Sequence, residues 1–389
     1  MEYTYAVLGA GRQGTAAAYD MGLRGDASSI MLADADYETA CRSAERVNRL
    51  LGASLARPVQ VNVTDSEAVL HLLDGVDAFL SAVPYYYNLD LTRVAIQARA
   101  SMCDLGGNTQ IVQQQHAFNT QARAAEISII PDCGQVPGLG SSLVAYAMGL
   151  LDEPVDVYMW DGGIPQFPKP PFNYLLTFNI AGLTNEYAEP AVFLRDGKIV
   201  EVEPMTELET VDFPLPIGKL EAFVAGGGTS TMPWTFQGRL RTLQNLTLRY
   251  PGHFAQLRAY WDLGLWDLNP IRVGEVEVIP RQVFHALFEP KVTSPTEKDL
   301  VIVRVKALGK KGGRHAEATV ELIDYYDEQT GFTAMERSTG WSGAIVAEMM
   351  AQGQTPRGAG GVESFIPPAE FVDALRQRGV HISESVVMH

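Results

Sequence analysis

Across residues 1–150 the apolar and polar positions follow two alternating rhythms. Short apolar runs recur at Tyr3 to Leu8, at SSIMLAD ending in Asp34, at Val59 to Asp65, at Val76 to Val83, around Met102-Cys103-Asp104 and at Ser128 to Pro131. Each has the length and composition of a buried strand. The segments between them read as helices: an Ala-rich stretch after Gly14, Ser66 to Leu73, Asp90 to Arg99, and a long polar helix near Gln110 to Ala125. Strands alternating with helices in this way predict a Rossmann-type, doubly wound parallel sheet. Its ligand crevice is expected beyond the carboxyl ends of the strands, which carry Gly9 to Gly14, Asp34, Asp65, Ala82-Val83-Pro84, Asp104 to Gly107 and Asp132 to Gly138.

The rhythm changes near Pro154. VDVYMW reads as a strand, VFLR and KIVEV flank Asp196-Gly197 as a hairpin with a type I′ turn pair, and LVIVRVKA, GKKGG and AEATVELIDYY form a second hairpin. Antiparallel hairpins build a sheet of their own, so 151–337 is predicted as an inserted α+β domain in an α/β chain. Residues 338–389 revert to helix: Ser338 to Met350, a loop at Gly353 to Gly361, then an amphipathic helix at Pro368 to Gly379. This helical segment is expected to return to the first domain.

Composition narrows the classes open to such a fold. With 46% hydrophobic and 20% charged residues among 389, the chain has the makeup of a soluble globular protein of two or three domains. A formal charge of -16 and the lack of a Lys/Arg-rich stripe argue against a nucleic-acid partner. Cys41, Cys103 and Cys133, without CxxC spacing, read as reduced thiols, and seven scattered histidines predict no metal site. No basic segment precedes the first strand, and the longest apolar run, Leu143 to Leu151, is too short to span a bilayer. The expectations are therefore no signal peptide, no membrane partner and a cytoplasmic location.

The sharpest chemical signal is VLGAGRQG, Val7 to Gly14, answered by Asp34. A GxGxxG that follows a strand, opens a helix and is followed at this distance by an acid is the pattern of a dinucleotide-binding βαβ unit. Gly9 makes the tight turn, Gly11 admits the pyrophosphate, Gly14 lets the helix pack closely, and Arg12 and Gln13 share the loop. Asp34 accepts from ribose hydroxyls and repels a 2′-phosphate, and Ala35-Asp36 brings no Arg to offset it, so NAD is expected over NADP. Asp65, Ala82, Val83, Pro84 and Gly106, at neighbouring strand ends, complete the expected cofactor contacts.

GAGRQG with Asp34, SAVPYYYN (Ser81 to Asn88), DLGGN (Asp104 to Asn108), PDCGQVPG (Pro131 to Gly138), GGIPQFPKPP (Gly162 to Pro171), GGTSTMPWT (from Gly227), LRYPGH (Leu248 to His253) and MERSTGWSGA (from Met335) resemble, in order, the motifs of the saccharopine dehydrogenase-like family. Within it they are most similar to the lysine 6-dehydrogenases, which use NAD to oxidise the side-chain amine of L-lysine. The resemblance implies a Rossmann domain whose inserted domain carries substrate and dimer contacts, hence a homodimer or larger homo-oligomer acting on an amino acid. One position departs. Where many saccharopine reductases have an acid directly before the Pro-Gly of the sixth-strand loop, this chain has Val136, so a mechanism using that acid does not carry over.

The implied reaction converts L-lysine and NAD to the 6-semialdehyde, which cyclises to 1-piperideine-6-carboxylate, with ammonia and NADH. A free lysine side chain has a pKa of about 10.4, so hydride loss requires a proton acceptor, and water attack on the iminium requires one again. Asp104 is the first candidate, with a cap on Gly106-Gly107 as its alternative role. His253, in a Pro-Gly-His turn, is the second unless it is structural. Arg249 either holds the α-carboxylate bidentately or serves as a structural ion-pair partner. Tyr174, Thr229 and Ser230 are candidate substrate-binding residues, and Cys133 reads as packing. A saccharopine-type or carboxyspermidine-type dehydrogenase acting on a secondary amine, and a non-catalytic dinucleotide-binding regulator, are the alternative readings.

Overall fold

The computed structural model describes residues 2–389, arranged around two large sheets. Strands β1 (Tyr3–Leu8), β2 (Ala27–Asp34), β3 (Ala56–Gln60), β4 (Ala78–Ser81), β5 (Ser101–Asp104) and β6 (Ser128–Ile130) pair in parallel with spatial order β6-β5-β4-β1-β2-β3. Both faces are buried, as a parallel sheet requires. Tyr5, Val7, Leu32 and Leu80 belong to the core on one side, while Ala6, Leu8, Ala33 and Phe79 belong to the core on the other. Addition of strands reverses direction at β1, so the loops leaving β1 and β4 part around the crevice where such folds bind ligands.

Two local expectations shift. β3 ends at Gln60 and does not reach Asp65, because Asn62 turns the chain by accepting from the Thr64 amide and Asp65 caps the next helix. The single polar helix expected over 110–125 is two, Thr109–His116 and Asn119–Ala124.

The second sheet takes β7 (Glu153–Pro165), β8 (Ala191–Arg195), β9 (Lys198–Val202), β10 (Glu209–Asp212), β11 (Lys219–Val224) and β12 (Thr242–Arg249). After a detached hairpin, β13 (Ile271–Val273) and β14 (Val276–Val278), it is completed by β15 (Asp299–Lys311) and β16 (Arg314–Tyr325). Its central order is β10-β11-β12-β7-β15-β16; β12 and β7 run parallel, and their neighbours are antiparallel. The hairpin at Asp196-Gly197 has φ values of 51° and 73°, the left-handed pair that a type I′ turn needs.

The C-terminal segment touches both sheets. Helix Ala334–Ala351, opened by a Thr333/Glu336 capping box, packs on helix Arg12–Arg24, and β17 (Gly358–Ala359) extends the parallel sheet beside β6. Helix Pro368–Gln377 follows, and β18 (His381–Met388) then pairs with β16. The expectation of helices and a loop over 338–389, without strands, is thereby corrected. β18 is an edge strand with only Ile382 buried, so no apolar alternation marks it in the sequence. Among the described residues no helix is long and apolar enough to cross a membrane.

Candidate functional site

The turn after β1 is set by contacts that exclude side chains. Gly9 has a φ of 101°, and a Cβ there would lie 2.7 Å from the Ala82 carbonyl oxygen; one on Gly14 would lie 1.9 Å from the Gly9 oxygen. Gly11 is different, because no protein atom lies within 4 Å of where its Cβ would be. It caps helix Arg12–Arg24 without a side-chain acceptor, which leaves first-turn amides facing an open approach suited to a pyrophosphate. The buried Gln13 Oε1 in the same turn has no protein partner. Asp34 accepts from the Ala10 amide at 2.9 Å and the Asp36 amide at 3.0 Å, which fixes its carboxylate across the turn with lone pairs left for ribose hydroxyls. These residues fit a nicotinamide dinucleotide.

The other expected cofactor residues take more varied positions. Arg12 is tied through Nε to Glu336 at 2.6 Å. Ala82 and Val83 are half-buried beside Gly9, with Pro84 exposed. Asp65 is exposed after the edge strand and spends Oδ1 on the Ala68 amide at 3.1 Å, a helix cap. Arg42, close to Asp36 at 3.8 Å, is a cation near the ribose end that the dipeptide Ala35-Asp36 does not reveal.

At the ends of β5 and β6 the first catalytic candidate takes its alternative role. Asp104 is buried, its Oδ1 accepts from the Gly106 amide at 2.8 Å and the Asp132 amide at 3.1 Å, and its Oδ2 accepts from Gln115 at 2.8 Å. A carboxylate that accepts from three protein donors and is 1% exposed staples two loops, which is the capping role that stood beside base for Asp104. Gly106 adjoins the staple: a Cβ there would lie 2.0 Å from Asp132 Oδ1, so glycine allows Asp132 to fold over the β5 loop. Burial, reinforced by the Asp104 charge, pushes Asp132 up to about 7. Its Oδ2 accepts from Ser230 of the second domain, while Oδ1 has no partner. Cys133 is fully buried, in keeping with packing.

Beyond this loop lies a cavity of about 40 Å³ lined by Gln135, Val136, Asp161, Glu186, Asn245 and Arg249, among others. Asp161 on β7 pairs in register with Thr247, two residues before Arg249 on β12. Two residues along a strand span about 6.7 Å on one face, so the carboxylate and the guanidinium stand apart along the cavity. Asn245 donates to Asp161 at 3.0 Å, and Gln135, from the β6 loop, reaches it at 3.5 Å. Burial raises Asp161 to about 6, opposed by the Asn245 hydrogen bond and the Arg249 charge. Glu186, the last residue of helix Ile180–Glu186, is raised to about 8 by burial against the pull of Arg249.

Arg249 is only 4% exposed and is held from behind. Its Nε donates to the Tyr187 hydroxyl at 2.8 Å and its Nη1 to the Leu248 carbonyl at 2.8 Å, with Tyr174 packed at 5.5 Å from ring centre to guanidinium. The Tyr187 hydroxyl also meets His253 Nε2 at 3.1 Å, while His253 Nδ1 is buried without a protein partner. Burial and then the Arg249 charge hold His253 well below its ordinary pKa. A buried imidazole behind the guanidinium, bonded to Tyr187, matches the structural role that stood beside base for His253. Tyr174 likewise backs Arg249. Thr229 donates its hydroxyl to the Val192 carbonyl at 2.7 Å, and Ser230 donates to Asp132.

Asp161, Glu186 and Asn245 escape a linear reading, since strand register and one short helix bring them together. Gln135 lies in the segment Asp132 to Gly138 already expected at the crevice, and Asp161 closes the apolar run VYMW.

The chain is 22% identical to the mouse mitochondrial alpha-aminoadipic semialdehyde synthase over 76% of its own length, and spans 39% of that longer protein. It is 23% identical to the carboxynorspermidine synthase of Vibrio cholerae, with 71% of this chain and 69% of that one covered. The saccharopine dehydrogenase (L-Glu forming) structure from Saccharomyces cerevisiae shares the fold at a TM-score of 0.79 and 16% identity, over 99% of this chain and 100% of that one. The homospermidine synthase of Legionella pneumophila, solved with NAD, follows at 0.67 and 12%, over 100% and 92%. The family description "Saccharopine dehydrogenase NADP binding domain" matches residues 5–130 and "Saccharopine dehydrogenase C-terminal domain" residues 134–380. With nearly its whole length matched in that order, the chain belongs to the saccharopine dehydrogenase family and has its nicotinamide dinucleotide-binding half in the parallel sheet.

Proposed function

We propose that the protein is an NAD-dependent dehydrogenase that deaminates the side-chain amine of L-lysine. One observation carries the reading: the cavity between the dinucleotide crevice and the second sheet sets one guanidinium, Arg249, against two carboxylates, Asp161 and Glu186. That distribution complements a molecule with one carboxylate and two amines. Arg249 takes the α-carboxylate, with its fork held by Tyr187 and the Leu248 carbonyl. Asp161, on the side of the cavity nearest the β6 loop, receives the reacting ammonium and removes its proton, since a hydride leaves only a neutral amine. A bound nicotinamide supplies the hydride acceptor. Once Asp161 has passed that proton to solvent, it takes a proton from the water that adds to the substrate iminium and returns it to the nitrogen of the carbinolamine; ammonia departs as the C–N bond breaks, and loss of the hydroxyl proton leaves the aldehyde. Asp34 supports NAD over NADP.

A secondary amine joining an amino acid to a diamine is the second reading, favoured by the match to the carboxynorspermidine synthase, a relative covered over 69% of its length. Saccharopine, with three carboxylates, is disfavoured because Arg249 is the one cation among the residues lining the cavity. The test is NADH and NADPH formation at alkaline pH with L-lysine, L-ornithine, saccharopine, carboxynorspermidine and cadaverine. Oxidation of L-lysine with NAD, releasing ammonia, is expected. Turnover of a secondary amine alone overturns the lysine reading, and preference for NADP overturns the role of Asp34.

A further inference from the structure

We infer that Glu186 reads the α-ammonium of the substrate, forming with Arg249 a two-charge reader for an α-amino acid head; the inference rests on the functional reading above. Glu186 lines the cavity beside Arg249, yet among the described residues no donor hydrogen-bonds its carboxylate and no cation lies within ion-pair distance. The neighbouring guanidinium is equally specific in what it leaves unused. Its bonds to Tyr187 and Leu248 engage Nε and Nη1, and the Tyr174 hydroxyl is the further protein group near the guanidinium, so the fork keeps donor capacity toward the cavity. A buried guanidinium and a half-buried carboxylate that share a cavity without pairing leave room, once Glu186 is ionised, for a group that satisfies both. A carboxylate and an ammonium on one Cα have that form.

The surroundings show that Glu186 is held in place at a cost to the protein. It closes helix Ile180–Glu186, where the helix dipole opposes a carboxylate. That helix is pinned to helix Pro280–Val292 through Thr184 to His285 at 3.0 Å and Arg281 to Asn185 at 3.0 Å. The Glu186 carbonyl accepts from the Gly226 amide at 2.7 Å, which anchors the loop leading to Ser230. The backbone therefore has little freedom to withdraw the side chain. Asp161, bonded to Asn245 and Gln135 toward the β6 loop, faces the other end of the substrate, so the two acids have separate tasks.

The experiment compares L-lysine with 6-aminohexanoate, which keeps the carboxylate and the distal amine but lacks the α-amine. Wild type and Glu186→Gln are measured for kcat, for KM and for binding by calorimetry with NADH present. A charge-assisted hydrogen bond corresponds to a preference of roughly 10- to 150-fold for L-lysine. In Glu186→Gln this preference is expected to fall to near one through a higher KM for L-lysine with little change in kcat. NADH affinity at the wild-type value verifies the fold, and Glu186→Asp serves as a second variant that retains the charge and part of the preference. Equal losses for both ligands in Glu186→Gln, or no preference in wild type, overturn the inference. If wild type does not oxidise lysine, the functional reading fails separately. The calorimetric preference then decides the role of Glu186, and failure to bind either ligand counts against it.

Discussion

At the scale of single residues, the glycines were legible and the acids were not, for one physical reason. Gly14 makes room for the backbone of Gly9, and Gly9 and Gly11 shape the turn between them, so their spacing carries most of their geometry even though Gly9 also clears the Ala82 carbonyl of the neighbouring strand. Asp104 looked like a base because it ends a strand at the crevice, but three donors from two later segments occupy it. Asp161 acquires its setting from Asn245 and Gln135, neither of which is near it in sequence. The consequence is testable at that residue. Asp161→Asn keeps the shape and removes the base, so kcat/KM for L-lysine is expected to drop by about a hundredfold to ten-thousandfold with NADH affinity kept. A carboxylate raised to about 6 is an active base only once ionised, so wild-type kcat/KM should climb as pH rises through 6. The variant should lose that limb and keep the later rise that accompanies deprotonation of the amine. A variant with near-normal turnover and an unchanged profile would remove Asp161 from the chemistry.

At the scale of elements, the alternation of strand and helix marks the parallel sheet well, since β4, β5 and β6 are buried throughout and β1 over its last four residues. The tail resisted because its anchoring is non-local. Arg378, just past helix Pro368–Gln377, has a 4% exposed side chain and bonds Asp20 at 2.7 Å and Glu348 at 2.7 Å, joining the last helix to helices Arg12–Arg24 and Ala334–Ala351. Nothing in the local sequence distinguishes this arginine from its exposed neighbours. Burial raises both acids, Glu348 to about 8, even with the guanidinium present. Arg378→Ala strands them without a counter-charge, and losing one partner of a buried ionic group costs about 3–5 kcal/mol, to be read by urea unfolding at neutral pH. The sign of the pH effect follows from the raised carboxyls. A group whose folded pKa lies above its unfolded one stabilises fully at low pH and loses that contribution as pH rises through the folded value. Removing Arg378 raises those folded values further, so the deficit of the variant should be smaller at pH 5 than at pH 8. An equal deficit at both would place the damage in lost packing.

At the scale of the whole molecule, the site belongs to neither half alone. Gln135 and Asp132 come from the loop after β6, whereas Asp161, Glu186, Asn245, Arg249 and Ser230 come from the second domain, and the two sets meet through Ser230 to Asp132 and Gln135 to Asp161. The sequence shows where each half lies, but the meeting is a product of docking and leaves no periodicity to read. It also carries a requirement. Ligand pockets measure about 300–1,000 Å³, and this cavity, at about 40 Å³, has no room for an amino acid beside a nicotinamide. Entry therefore needs the loops 132–138 and 225–231 to move apart, and binding should close them around the substrate, with new bonds from Arg249 and Glu186 replacing those broken on opening. Hydrogen exchange followed by mass spectrometry tests this directly. Amides in both loops are expected to exchange measurably in the free protein and to slow when NADH and L-lysine are added together, more than with NADH alone, while β7 and β15 in the sheet core stay protected throughout. If the loops are as protected in the free protein as in the ternary complex, the halves do not open there, and the substrate must enter by a route that avoids the contacts of Ser230 and Gln135.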